Sequence, residues 1–190
     1  MKQRAWIAAI FSTAILAATP AGAFVVVVGN TLAHDCFMAA KAGVNVEQGL
    51  ATCTSALEDG ALTTHDRAAT YNNRGVIKYN KGLYDSAMQD YETGIKLQPD
   101  MGDAYVDRGA ALIRMNRYDD AIADINKGMT MGMSYPHIGY YNRAVAEQLK
   151  GQFKEAYFDY KKVLELEPNF TLASEQLKNF IVTPVKKTSS

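Results

Sequence analysis

The sequence predicts an all-α fold, a series of antiparallel helix pairs stacked side by side. The first observation is an internal repeat. Residues 68–101, 102–136 and 137–170 align Tyr71, Tyr105 and Tyr140, then Gly75, Gly109 and Ala144, then Tyr84, Tyr118 and Phe153, then Ala87, Ala121 and Ala156. The second is period: within each unit, apolar positions recur at helical spacing on both sides of a turn residue, Gly82, Asn116 or Gly151. The third is the pairing of small residues, with Gly75 and Ala87 at facing points where two helix backbones must approach closely.

Along the chain, residues 1–23 have the layout of a secretory signal: Lys2 and Arg4, an apolar run over 6–18, Pro20, and the small triplet Ala21-Gly22-Ala23. Cleavage is expected near Phe24. The alternative is an anchor, since the uncharged run continues through residues 25–28, and a membrane enters the picture only if the leader stays. Cys36 follows "LAHD", which lacks the small residues a lipid-attachment signal places there.

Residues 24–67 read as a degenerate hairpin. One helix runs from "TLAHDC" to a stop at Gly43; a second, with Asn45 as a candidate N-cap, stops at Gly60. The first full unit, 68–101, predicts helices over 68–80 and 84–97, the second stopped by Pro99. The second unit, 102–136, has Asn116 at the turn and Met133 where the closing proline belongs, so its second helix is expected to end later or less sharply. The third is 137–170. Phe170, Ala173, Leu177 and Phe180 then make one apolar stripe, predicting a capping helix over 171–182, and 183–190 reads as a disordered tail.

These motifs resemble the tetratricopeptide repeat family. The resemblance covers 68–170 through the aromatic, the Gly or Ala, the turn residue, the second aromatic, the Ala and the closing "KLQP" or "ELEP". It implies a right-handed superhelical array whose first helices line a concave groove that receives a peptide or helix of a partner. Carried over by register, that groove would present Asn72, Val76 and Tyr79, then Val106, Ala110 and Ile113, then Tyr141, Val145 and Gln148. The chaperone-adaptor members hold a terminal carboxylate with lysines and asparagines on this face; the corresponding slots here hold Val76, Asp107 and Ile138, so that activity is not expected. The other reading places these residues in helix packing and the interface on the convex side.

Arg74, Arg108 and Arg143 sit at one register position, each followed sixteen residues later by an aspartate: Asp90, Asp124 and Asp159. Residues equally far from a hairpin turn face each other, so the spacing predicts structural ion pairs; the competing reading is an arginine row for an anionic ligand. The same arithmetic sets Cys36 opposite Cys53, seventeen residues on, predicting a disulfide that staples the degenerate hairpin where the full units carry their ion pair.

Lys and Arg number 20 and Asp and Glu 20, so no basic field invites nucleic acid. His34, His65 and His137 form no helix-spaced pair, and no serine sits in a nucleophile elbow, so no catalytic centre, cofactor, metal or small-molecule substrate is expected. Met129, Met131 and Met133 beside His137 could serve as soft copper ligands, but Met129 and Met131 align with Ile95 and Leu97, which predicts core filling instead. The expected function is a non-catalytic scaffold in the periplasm of a Gram-negative bacterium, or secreted from it, binding a segment of another envelope protein. The alternatives are a methionine-rich copper protein and a self-associating structural module.

Overall fold

The structure is a computed structural model and describes residues 5–9, 22, 24–27, 31–43 and 45–184. Its helices are α1 (Thr31–Ala42), α2 (Val46–Glu58), α3 (Thr64–Asn80), α4 (Tyr84–Leu97), α5 (Gly102–Arg114), α6 (Tyr118–Met131), α7 (Pro136–Leu149), α8 (Phe153–Leu166) and α9 (Thr171–Leu177). They pack as consecutive hairpins: α1 with α2, α3 with α4, α5 with α6, α7 with α8. The first helices also touch one another, α1 with α3, α3 with α5 and α5 with α7, whereas α4, α6 and α8 share no comparable contact. That asymmetry curves the array and puts α1, α3, α5 and α7 on the inside.

The turns explain why the units repeat. Gly82 (φ 81°) and Gly151 (φ 77°) take left-handed backbone, and Asn116 does the same at φ 60°, because asparagine is the non-glycine residue that tolerates this region best. The missing proline of the second unit has no effect on length. α6 ends at Met131, in register with Leu97 at the end of α4, because Gly132 (φ 83°) stops the helix instead.

Several boundaries differ from expectation. α3 begins four residues early because Thr63 caps it: its hydroxyl accepts from the Asp66 N–H at 3.0 Å and donates to the Asp66 carboxylate at 2.8 Å. Asn45 makes no side-chain cap, its backbone being left-handed at φ 51°. The capping helix stops at Leu177, and Phe180–Pro184 forms a strand instead, antiparallel to Ala5–Ala9, with Ile7 opposite Val182. The first strand falls inside the residues read as a leader and lies beside α8. The all-α array therefore carries one two-stranded ladder. Residues 185–190 of the expected tail, and most of the expected leader, lie outside the described residues.

Core packing follows the aligned positions. A Cβ on Gly75 would lie 2.5 Å from the Tyr91 ring, and one on Gly109 2.6 Å from Ile125, so these glycines let the second-helix side chain sit against the first-helix backbone. In the degenerate hairpin the buried positions Gly49, Cys53 and Ala56 match Ala87, Tyr91 and Gly94. Cys53 therefore fills the core slot of Tyr91, and Cys36, bonded to it, fills the slot facing it. Register places the disulfide where the other units have their glycine–aromatic contact, not their ion pair. Sequence counting missed this by one residue, because the left-handed Gly43 stands three residues before α2 whereas Gly82 stands two before α4, so the degenerate turn carries one residue more. Replacing both cysteines by alanine should cost about 3 kcal/mol, from the chain entropy of the open loop. Denaturation with and without reductant reads it.

Candidate functional site

The three arginines are each held by a carboxylate fork and a tyrosine ring, and two of them by a third partner. Arg74 donates from Nε and Nη2 to the two Asp90 oxygens at 2.9 and 2.7 Å, Arg108 to Asp124 at 2.6 and 2.8 Å, and Arg143 to Asp159 at 2.6 and 2.9 Å. These are bidentate forks, the strongest geometry available to the pair. The tyrosine three residues earlier on the same helix, Tyr71, Tyr105 or Tyr140, lies under the guanidinium at 5.4 to 5.5 Å. The remaining donor of Arg74 reaches back to Thr54 in the previous hairpin, and that of Arg143 to Asn126. The aspartate beside each arginine, through its hydrogen bonds, raises the guanidinium pKa and so holds the cation in place. Held this way, they are rungs between helices and between units.

The rungs differ at one position. Lys78 adds a second cation to Asp90 at 2.7 Å, and Leu112 takes the equivalent place in the second unit. The third unit has Glu147 there, beside Arg143 and near Asp159 and Glu155. Burial, then the Asp159 charge, lifts the Glu147 carboxyl to about 7, only partly opposed by Arg143. A raised acid binds its proton more tightly in the folded state, so this group's contribution falls as pH climbs from about 4.5 through 7. Glu147→Gln should therefore match the parent at pH 4 and exceed it by about 1–3 kcal/mol at pH 8. Thermal melts at the two pH values test this.

The residues expected to floor a groove are all buried, and the cause differs along the array. In the third unit, Tyr141 packs edge-on against Phe170, and Gln148 bonds to Tyr160 and to Gln176 of α9. In the second, Val106 lies against Gly128 within its own hairpin, and Ile113 joins the same cluster as Tyr141 and Val145. These side chains pack helix on helix.

In the first unit the cover is the chain's own segment 24–27. Phe24 packs against the cluster of Val76, Tyr79, Tyr91 and Ala110, and against that of Cys36, Cys53 and Ile77. Val25 and Val27 are buried against Ala33, Ala68, Ala69, Met101 and Ala104, while Val26 between them is 54% exposed. Asn73 holds the backbone: its amide donates to the Val25 carbonyl at 3.0 Å and its oxygen accepts from the Val25 N–H at 3.3 Å. At the same register position of the second unit, Asp107 accepts from the Gly22 N–H at 3.1 Å and from the Asn72 amide at 3.0 Å. Gly22 thus sits against α5 and Val25 against α3 on the inner face.

Asn73 and Asp107 were missed as backbone-binding residues, though a signal existed. Asn73, Asp107 and Asn142 occupy one register position of three first helices, and all three polar side chains are fully or almost fully buried. Such a row needs polar partners inside the array.

Met129 and Met133 of the methionine run pack against the core. Met129 and Met133 meet a Cβ built on Gly139 at 3.1 and 3.0 Å, and His137 packs against Tyr135 and Phe170. Met131 is not core: it is 39% exposed at the end of α6, as Leu166 is at the end of α8. Among the described residues no group of three or more His, Cys, Asp or Glu side chains could hold a metal ion, and no helix is long and apolar enough to cross a membrane.

Comparison with known proteins agrees with this geometry. Residues 68–101 and 137–170 match the family model of the tetratricopeptide repeat. The chain is 29% identical over 133 residues to RNA polymerase II-associated protein 3 of Homo sapiens, covering 70% of this chain and 20% of the relative. It is 30% identical over 112 residues to serine/threonine-protein phosphatase 5 of Homo sapiens, covering 58% and 21%. The chain thus spans about a fifth of the length of these relatives. Among solved structures, the first TPR of Spaghetti bound to the HSP90 peptide SRMEEVD superposes with a TM-score of 0.57 at 27% identity, covering 63% of this chain and 94% of that one. The MamA structure superposes at 0.60 with 15% identity, covering 79% and 82%, a likeness of fold alone.

Proposed function

We propose, on the premise of a tetratricopeptide-repeat array with an inner face, that this chain is a non-catalytic scaffold that binds a stretched segment of a partner protein on that face. We place it in the envelope of a Gram-negative bacterium, on the strength of the leader-like residues 1–23 and the buried Cys36–Cys53 bond, which suits an oxidising compartment. The observation that carries the binding reading is the Asn73 side chain engaging both backbone groups of Val25. A side-chain amide set this way recognises a peptide backbone whatever its sequence, while small neighbours such as Ala68, Ala69 and Ala104 leave room for aliphatic side chains.

The related Spaghetti domain takes a peptide that ends in acidic residues. Here a buried Asp107 stands on the inner face and opposes a second negative charge, and the other slots hold Val76 and Ile138. The partner segment is therefore neutral and apolar. Fluorescence anisotropy with the full chain should show a neutral aromatic-aliphatic peptide binding at least ~10-fold tighter than SRMEEVD, about the cost of one uncompensated charge in a dry site. Preference for SRMEEVD would overturn the reading.

A further inference from the structure

The resident segment gives the groove's ligand chemistry directly, and it also stands in the way of any ligand. Phe24 enters between Val76, Tyr79 and Ala110, Val25 and Val27 fill the alanine-lined trough, and Val26 points out at 54% exposure. The alternation in–out–in over Val25, Val26 and Val27 is that of a strand laid on a surface. Asn73 and Asp107 take the backbone N–H and C=O groups that a strand leaves unpaired. Every feature a partner would need is already engaged by this chain.

We propose that segment 24–27 is an intramolecular ligand that closes the groove, and that the partner is a segment of the same chemistry, one aromatic followed by alternating buried aliphatic residues, which binds by displacing it. This rests on the function proposed above. Phe24, Val25 and Val27 follow the expected cleavage point, so they stay on the chain with or without residues 1–23, while the Gly22–Asp107 contact goes with the leader. A tethered segment competes at an effective concentration in the millimolar range. A groove closed 90–99% of the time binds an outside segment about 10- to 100-fold more weakly than an open one.

The test uses a labelled peptide reading Gly-Ala-Phe-Val-Val-Val between lysine pairs, and three full-length chains: the parent, Val25→Asp with Val27→Asp, and Val26→Asp. The double variant puts charge into the trough and ejects the segment; the single variant puts the same charge where the side chain already faces water. The double variant should bind the peptide about 10- to 100-fold tighter than the parent, and Val26→Asp should match the parent. Equal binding by all three, with native helicity, would overturn the competition while leaving groove binding in place. No binding by any of them would overturn both. Should the double variant lose helicity, the parent decides: excess peptide must speed amide exchange at residues 24–27, and unchanged exchange at saturation counts against displacement. A parent dimer that the double variant abolishes would assign the segment to a second copy and overturn closure within one chain.

Discussion

Gly102→Ala is expected to be among the most damaging single-methyl additions in the molecule. A Cβ at Gly102 would lie 2.1 Å from the Gly132 carbonyl oxygen and 2.6 Å from that of Gly128, and one at Gly128 would lie 2.5 Å from the Gly102 oxygen. Both neighbours are backbone, so no side chain can swing aside; the start of α5 must separate from the end of α6. A cost of about 3 kcal/mol or more follows for overpacking against backbone, a drop of roughly 6–12 °C in melting temperature for a chain of this size. Gly60→Ala is the control: nothing lies within 4 Å of its Cβ and its backbone is unexceptional, so it should leave the melting temperature unchanged. Comparable melts for the two would contradict the packing account.

Arg108→Ala should cost about 2–4 kcal/mol, somewhat less than the loss of one partner from a fully buried pair, because the Arg108 and Asp124 side chains retain 22% and 15% exposure. The loss comes from Asp124, left in the hairpin without its fork, and from Tyr105, left without the cation above its ring. Pairing the change with Asp124→Leu removes the stranded charge and should recover most of the stability. Urea denaturation of the parent, single and double variants separates this from simple loss of packing, in which the double variant would be the worst of the three. Peptide binding should survive in the double variant, since these rungs do not touch segment 24–27.

The repeat and its hairpins were legible because they are periodic: Tyr71, Gly75, Ala87 and Tyr91 recur with the same spacing, and each position has one local physical job. The arginine–aspartate spacing was legible for the same reason. What escaped was non-periodic. The capping helix was overextended because the apolar stripe ending in Phe180 fits a strand edge as well as a helix face, and only the pairing with residues 5–9 decides between them. The cover over Val76 and Tyr79 escaped because it comes from Phe24, Val25 and Val27, which lie 45 or more residues away in sequence from Asn73 and read locally as the flank of a leader. Gly102 escaped because its constraint comes from the carbonyls of Gly128 and Gly132 in the facing helix end.

The central claim is that the inner face of this array grips a peptide backbone through Asn73. Amide hydrogen exchange at Val25 in the full chain tests it most directly. Bonded to the Asn73 oxygen and fully inside, the Val25 N–H should be protected to a degree approaching that of the α3 amides, and Asn73→Leu should abolish that protection while α3 keeps its own. A Val25 amide that exchanges at the rate of unstructured chain, in a molecule whose helices are protected, would contradict the account.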